Sequence, residues 1–212
     1  MSDAPATSQL PHFQLVLAST SRSRSLLLGQ AGIDHVMQGS GVDEARYDAP
    51  TPEGLVSVLA DAKARAVAAR LQQGIVLGCD SVLGIDGRVL GKPPTADAAR
   101  EHWKLIVGRT STLSTGHTLL RVERGAVVAQ AAAVASTHIT FGTPTPAEID
   151  AYVATAEPLA SAGAFTLEGL SAPFVESISG SPSNVIGLSL PLLGRLVREL
   201  GLSIVQFWKP TA

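Results

Sequence analysis

The hydrophobic positions of this chain form short apolar runs typical of strands and spaced stripes typical of helices. Leu15-Val16-Leu17-Ala18 predicts a buried strand, and the polar segment from Ser19 to Arg24 predicts the turn after it. A short helix from Leu26 to Ala31 follows and stops near Gly32. The weak alternation from Ile33 to Met37 predicts an edge strand.

A longer helix is predicted to begin at Thr51, where a capping residue precedes Pro52 at the first helical position. Its apolar stripe predicts which residues are buried: Leu55, Val58, Leu59, Ala62, Ala66 and Ala69. Lys63 lies at the margin of this stripe. Its ammonium group could reach into a cleft or extend into plain solvent, and the sequence leaves both open.

Residues 75–93 are the segment around which we expect the protein to be organised. An apolar run contains Asp80, and Asp86-Gly87 then predicts a tight hairpin turn, because this dipeptide accepts positive φ values. The open end of the hairpin carries Asp80 and Lys92. A carboxylate in a buried strand needs a cation or a metal, although a surface hairpin with an incidental ion pair is the simpler alternative.

The register of this hairpin raises a geometric question. Stepwise pairing from Ile85 with Arg88 places Lys92 opposite Ser81, and the pleat then sends Asp80 to the other face. Either a bulge near one of the hairpin glycines, Gly78 or Gly91, corrects this, or Asp80 and Lys92 flank the site from different sides.

The rest of the chain continues to mix helices and strands. The predicted elements are a helix from Pro93 to Gly108, two long antiparallel strands within Ser111 to Phe141 that turn at Glu123-Arg124-Gly125, a helix from Thr145 to Ala156, strands at Gly163 to Leu167 and Phe174 to Ile178, a loop over 180–184 and a helix from Pro191 to Gly201.

The pattern contains no polar linker between these elements. We therefore expect one domain over residues 13–212, preceded by a disordered tail over residues 1–12 that mixes Ser, Ala, Pro and Thr without periodicity. The fold class is α/β, with a long mixed central sheet and helices on both faces.

Composition narrows the classes of partner. The 212 residues are 45% hydrophobic, which is enough for a sizeable core. A net charge of -2 and 4% aromatic residues argue against nucleic-acid binding, and the lack of a long apolar run argues against a membrane span. A single cysteine, Cys79, excludes an intrachain disulfide and fits a cytoplasmic protein.

The candidate chemistry is suggested by the charged and hydroxyl residues that remain once common catalytic and nucleotide-binding motifs are excluded. The chain has no GxxxxGK[ST], GxGxxG, HExxH or GxSxG motif. Two acids, three cations and a hydroxyl at a helix start lie in the first half of the chain: Ser19, Arg24, Glu44, Lys63, Asp80 and Lys92. Such a set suits a polyphosphate ester with a hard cation, although N-capping by a serine would also explain the hydroxyl.

Six segments in order carry a family resemblance. They are Leu17-Ala18-Ser19-Thr20-Ser21 followed by Arg24, Val42-Asp43-Glu44, Leu59-Ala60-Asp61-Ala62-Lys63-Ala64, Gly78-Cys79-Asp80-Ser81 with Gly91-Lys92-Pro93, Ala162-Gly163-Ala164-Phe165, and Ser183-Asn184-Val185-Ile186-Gly187-Leu188. Together they resemble the Maf proteins, nucleoside triphosphate pyrophosphatases also described as septum-formation inhibitors. The resemblance extends from about Leu15 to Gly201.

This resemblance implies the fold of inosine triphosphate pyrophosphatases, a homodimer, and hydrolysis of a nucleoside triphosphate to its monophosphate and pyrophosphate. Asp80 would be the general base and, with Glu44, would hold a divalent metal, Mg²⁺ or alternatively Mn²⁺. The phosphates would contact Ser19, Arg24, Lys63 and Lys92.

Three positions that the family associates with base choice depart from its pattern. Members acting on thymidine and uridine triphosphates carry Pro-Arg-Arg where this chain has Arg22-Ser23-Arg24, Thr where it has Ser81 and Gln where it has Glu168. Ser23 is too short to replace a guanidinium, and an ionised Glu168 only accepts hydrogen bonds. Glu168 resembles the branch that acts on methylated guanosine triphosphate, whereas Ser23 matches neither branch.

Two functions follow from these observations. The leading hypothesis is a hydrolase that removes noncanonical or surplus nucleotides. The alternative is a nucleotide-binding regulator of cell division in which catalysis is incidental or lost.

Overall fold

The computed structural model describes residues 12–210, and its frame is one mixed sheet of seven strands. The strands are β1 (Leu15–Leu17), β2 (His35–Met37), β3 (Gln73–Ile85), β4 (Arg88–Leu90), β5 (Thr110–Glu123), β6 (Ala126–Phe141) and β7 (Val175–Ser179). Their order is β2-β1-β3-β5-β6-β7, with β4 attached to β3. β1 runs parallel to β2 and β3, and the other pairs are antiparallel.

The α-helices are α1 (Arg22–Gln30), α2 (Pro52–Ala68), α3 (Ala96–Ile106), α4 (Pro146–Ala154), α5 (Pro182–Ile186) and α6 (Leu190–Glu199). Short 3₁₀ turns occupy Glu44–Arg46, Glu157–Ala160, Ala162–Ala164, Ala172–Phe174 and Ile204–Phe207. Within residues 12–210 there is no helix with the length and apolar character that a bilayer crossing requires.

One edge of β3 is shared by two short strands and is interrupted between them. β1 pairs with residues 75–77 and β4 pairs with residues 83–85, whereas β5 lies along the whole opposite edge. Among the described residues, no strand pairs with residues 78–82 on the β1 and β4 side. The sheet therefore contains a gap, and Asp80 lies at its centre.

Helix α2 lies unusually close to one face of the sheet because two glycines are opposite it. A Cβ atom at Gly78 would lie 2.1 Å from the Ala60 carbonyl oxygen, and one at Gly116 would lie 2.1 Å from the Val56 carbonyl oxygen. This contact selects the buried side of the helix. The buried residues are Val56, Leu59, Ala60, Lys63, Ala64, Val67 and Ala68. Of the stripe predicted from periodicity, Leu59 is confirmed, and the other five positions were wrong because the buried side is displaced by about one residue.

The other face of the sheet and its far end carry the remaining helices. Leu28 of α1 and Leu192, Leu193 and Leu196 of α6 pack on the face that bears Leu77. A second cluster surrounds Trp103 of α3, whose indole Nε1 donates to the Ala164 carbonyl oxygen at 2.9 Å. The predicted α/β fold with helices on both faces is thus confirmed.

Most predicted elements are present with small changes in their bounds. Asp86 and Gly87 form the hairpin turn with φ values of 49° and 73°, and the two long strands turn at 124–125 as predicted. The predicted strand at Gly163 to Leu167 was wrong: Gly163 and Ala164 have φ values of 72° and 62°, which a strand cannot accommodate. The predicted loop over 180–184 contains the start of α5, with Pro182 at its first position.

Two further predictions concern the chain start and the hairpin register. Residues 1–11 of the predicted tail lie outside the described residues, and His12 Nε2 lies 3.0 Å from Asp34 Oδ2. The hairpin pairing stops at Leu90 opposite Leu83, so the predicted pairing of Lys92 with Ser81 was wrong. The Gly91 carbonyl oxygen instead accepts from the Gly163 amide at 3.0 Å, which draws the chain away from the sheet.

Candidate active site

The gap in the β3 edge opens into a cleft of about 1000 Å³. Its walls come from the β1–α1 turn, the segment around residues 39–47, helix α2, the hairpin and the segment 159–168. All nine residues predicted for the site line it: Ser19, Ser23, Arg24, Glu44, Lys63, Asp80, Ser81, Lys92 and Glu168. They divide into a floor at β3 and a mouth near solvent.

The centre of the floor is an ammonium group between two carboxylates. Lys63 Nζ donates to Asp80 Oδ1 and lies 2.6 Å from Glu44 Oε1. Lys63 and Asp80 are each only 7% exposed, whereas Glu44 is exposed on its 3₁₀ turn. Burial makes this arrangement specific, because a charge removed from water must meet an opposite charge.

The close approach of α2 explains how a lysine comes to lie in the floor. Lys63 follows the contact between Ala60 and Gly78 by one turn of the helix, so its side chain enters the gap beside Asp80. Of the two alternatives left open by the sequence, the structure therefore selects the one in which the ammonium group reaches the cleft.

Arg24, in the first turn of α1, is held by three acceptors from three parts of the chain. Its Nε donates to the Gly187 carbonyl oxygen at 2.7 Å, one Nη donates to Ser19 Oγ at 3.3 Å and the other donates to Ser81 Oγ at 3.0 Å. A guanidinium group has five N–H donors, so two of them are left for a ligand. The N-cap of α1 is Ser21 and not Ser19.

A buried hydroxyl network behind Arg24 was not predicted from the sequence. Ser81 Oγ lies 2.9 Å from Thr115 Oγ1, and Thr115 donates to the Asn184 carbonyl oxygen at 3.4 Å. Thr115 and Asn184 are fully buried. The available signal was the run of polar residues 114–118 within the apolar strand β5, which periodicity alone does not explain.

His117 extends this network to the face opposite α2. The Ser189 amide donates to its Nε2 at 2.9 Å, so its Nδ1 carries the proton and donates to the Thr115 carbonyl oxygen at 3.0 Å. Burial, aided by the positive charge of Arg24, lowers the pKa of His117 to about 4, although the hydrogen bond to the Thr115 carbonyl oxygen acts to raise this pKa. Burial also raises the pKa of the Cys79 thiol to about 12, in line with an inert core cysteine.

The mouth of the cleft is less constrained. Lys92 and Glu168 are exposed, and neither makes a hydrogen bond or ion pair with any residue between 12 and 210. Ser23 is half-buried on α1. Asp80 and Lys92 thus belong to the same cleft without contacting each other, which corresponds to the flanking arrangement considered from the sequence.

The carboxylates of the cleft can be assessed as ligands for a divalent cation. No cluster of three or more His, Cys, Asp or Glu side chains suitable for a metal occurs within the described part of the chain. Asp80 and Glu44 nevertheless direct one carboxylate oxygen each at the same positive group, Lys63 Nζ. Mg²⁺ is often bound by one or two carboxylates together with substrate phosphates, so these two residues fit such an ion.

Comparison with solved structures gives only distant similarities. A HAM1 protein from Coxiella burnetii aligns with a TM-score of 0.39 at 16% identity, over 61% of this chain and 73% of that one. The Staphylococcus aureus Ham1 protein aligns with a TM-score of 0.36 at 15% identity, over 60% and 71% of the two chains.

Comparison with curated sequences is far more informative. A protein of Streptomyces avermitilis named nucleoside triphosphate pyrophosphatase is 52% identical over 94% of this chain and 97% of its own length. Proteins with the same name from Mycolicibacterium gilvum and Saccharopolyspora erythraea are 48% and 47% identical, over 92% and 93% of this chain and 98% of their own lengths. The sequence profile of Maf-like protein matches residues 14–200. The chain therefore belongs to the Maf-like protein family.

Proposed function

We propose that this protein hydrolyses a nucleoside triphosphate to the nucleoside monophosphate and pyrophosphate, and so removes noncanonical or surplus nucleotides. The single observation that carries the proposal is the set of opposite charges in the sheet gap. Asp80, Lys63 and Glu44 meet there beside Arg24, in a cleft large enough for a nucleotide. The names of the close relatives support the same reaction.

In this proposal Asp80 is the general base. Lys63 occupies its Oδ1, and no described residue hydrogen-bonds to Oδ2, so Oδ2 is left to accept a proton. The water oxygen attacks the α-phosphorus while its proton passes to Asp80. The bond from the α-phosphorus to the bridging oxygen breaks, and pyrophosphate leaves with that oxygen and the bonding electron pair.

The cations of the cleft stabilise the charge on the phosphates. Arg24 offers two donors in a fixed plane, because its other three are already engaged. Ser19 lies beside it at the start of α1, Lys63 contributes from the floor, and Lys92 reaches the leaving pyrophosphate from the hairpin. Donors held in place by the protein, as those of Arg24 and Lys63 are, are worth more in a partly buried cleft than in water.

A divalent metal would be held by Asp80 and Glu44, with Mg²⁺ as the first choice and Mn²⁺ as the alternative. When bound, it would neutralise phosphate charge and polarise the phosphorus for attack. Lys63 would then donate to a phosphate oxygen and no longer bridge the two carboxylates.

Base choice is assigned to the mouth of the cleft. Ser23 and Glu168 line this part of the cleft, and Ser81 acts indirectly because its hydroxyl holds Arg24. Ionised Glu168 only accepts hydrogen bonds, so a base that presents N–H donors is favoured over one that presents carbonyl oxygens. We further propose a homodimer located in the cytoplasm, where nucleoside triphosphates are made and used.

The test is a panel of nucleoside triphosphates incubated with Mg²⁺ or Mn²⁺, with release of pyrophosphate as the readout. Wild type should release pyrophosphate from at least one nucleotide, and Asp80→Asn should release it far more slowly. Asp86→Asn is a matched control, because Asp86 lies in the exposed hairpin turn. Nucleotide binding without pyrophosphate release from any substrate would instead support the alternative, a regulator of cell division.

A further inference from the structure

We infer that Glu157 is a positioning residue for base selectivity, which it exerts by fixing the segment 166–171 at the mouth of the cleft. This inference rests on the proposed function. Glu157 is half-buried and does not line the cleft itself, whereas Thr166 and Glu168 of the segment do. The residue thus acts through the segment and does not touch the nucleotide.

One carboxylate oxygen of Glu157 lies inside the loop that the segment forms. Glu157 Oε1 accepts from the Leu170 amide at 2.9 Å and from Thr166 Oγ1 at 3.3 Å. A Cβ atom at Gly169 would lie 2.4 Å from the same oxygen, so a glycine is required for the loop to close around it. These contacts join positions 166 and 170 through a single atom.

The base of the loop is closed by a second residue. The Thr166 amide donates to Ser171 Oγ at 2.8 Å, and Ser171 Oγ donates to the Thr166 carbonyl oxygen at 2.9 Å. Ser171 is fully buried, and its anchor is therefore rigid. With Ser171 at the base and Glu157 in the interior, the segment presents Glu168 outward at a fixed place.

Glu157 itself is fixed by its backbone. It begins a 3₁₀ turn directly after Ala156, whose φ of 62° is left-handed, and its amide donates to Thr155 Oγ1 at 3.2 Å. The same turn continues into Leu159 and Ala160, which line the cleft. The turn therefore contributes to the mouth through its own backbone, and the Glu157 side chain adds the contacts that hold segment 166–171. Loosening that side chain should affect recognition of the base more than hydrolysis.

The experiment measures kcat and KM for the full nucleotide panel and for ribose 5′-triphosphate, which has no base. Glu157→Ala should raise KM about tenfold for the preferred nucleotide and reduce the preference between bases by a similar factor. Its kcat should stay within about threefold of wild type, and ribose triphosphate should be hydrolysed as before. Glu157→Gln keeps a carbonyl acceptor and should preserve most of the selectivity.

Two further variants separate positioning from stability. Gly169→Ala leaves Glu157 in place but blocks the loop from closing, so it should reproduce the loss of selectivity. Glu148→Ala removes the capping box of α4, where the carboxylate bonds to Thr145 and does not line the cleft. This loss of a comparable acid should lower the melting temperature with unchanged selectivity.

The outcomes also distinguish this inference from the proposed function. If wild type hydrolyses no nucleotide, the proposed function fails first. If wild type is active and selective but Glu157→Ala keeps the same selectivity, or loses activity equally on all substrates including ribose triphosphate, only the role of Glu157 is overturned.

Discussion

The floor and the mouth of the cleft are built in different ways. In the floor, Arg24 has three protein acceptors and Lys63 contacts two carboxylates, so both cations are placed before any ligand arrives. In the mouth, Lys92 and Glu168 are exposed and have no described partner. The comparison suggests that the reacting groups are preorganised by the fold, whereas at the mouth the backbone of segment 166–171 is fixed and only the exposed side chains of Lys92 and Glu168 adjust on binding.

The assignment of the reacting groups to the floor of the cleft is tested most directly by the Asp80→Asn variant. The amide cannot take a proton from water, so kcat should fall about 10³-fold, within the usual range for loss of a general base. Steady-state release of pyrophosphate measures the effect, with Asp86→Asn expected to match wild type. A loss of less than tenfold would show that the floor does not supply the base.

The buried network behind the floor, which includes His117, can be tested by measuring the free energy of unfolding at different pH values. The His117 pKa is about 4 in the folded protein and about 6.5 when unfolded, so the unfolded state binds more protons between these values. The free energy of unfolding should therefore decrease as pH falls from about 6.5 to about 4, by about 3 kcal/mol. Urea denaturation across this range measures the change, and His117→Asn should flatten the profile. An unchanged profile in that variant would contradict the assignment of a neutral, buried His117.

The Arg24→Lys variant tests whether the floor requires a guanidinium group held in place by the protein or only a positive charge. A lysine keeps the charge but cannot engage Gly187, Ser19 and Ser81 while presenting two planar donors to phosphate. We expect kcat/KM to fall about 50-fold, or about 2 kcal/mol of transition-state stabilisation. Arg195→Lys is the matched control, because Arg195 is exposed on α6 and does not line the cleft. An unchanged kcat/KM in Arg24→Lys would mean that only the positive charge matters, and an equal loss in the control variant would mean that the effect is not specific to the cleft.

The smallest effect is expected at the mouth. Lys92→Ala should raise KM about tenfold with little change in kcat, because an exposed cation contributes mainly to binding, at about 1.4 kcal/mol. Lys92→Arg should restore most of the affinity, and the effect should diminish at high salt. A kcat loss as large as that of Asp80→Asn would place Lys92 with the floor and remove the distinction.

Local chemistry made much of the fold predictable. Asp86-Gly87 determines the hairpin turn by its own φ preferences, and Thr51-Pro52 and Thr145 mark helix starts by capping. The family motifs likewise identified nine residues that all reach one cleft. These features depend on neighbours within a few positions, or on the order of short motifs along the chain.

The features that could not be predicted depend on distant contacts. The buried side of α2 is selected by Gly78 and Gly116, which lie on two different strands and admit the helix backbone. Arg24 is fixed by Gly187, 163 positions away, and nothing near Arg24 in the sequence indicates this. The apolar run at 163–167 is typical of a strand, yet Gly163 and Ala164 adopt left-handed values in packing against the hairpin and α3.

The interrupted edge of β3 makes the length of the hairpin a determinant of activity in its own right. β4 covers only three residues of its partner, so an insertion after Leu90 that lengthened only the β4 arm would continue the ladder along residues 78–82 and fill the space now open to a nucleotide. The same insertion would leave the buried helices and the opposite edge untouched. A folded yet inactive relative could therefore arise with every reactive side chain retained.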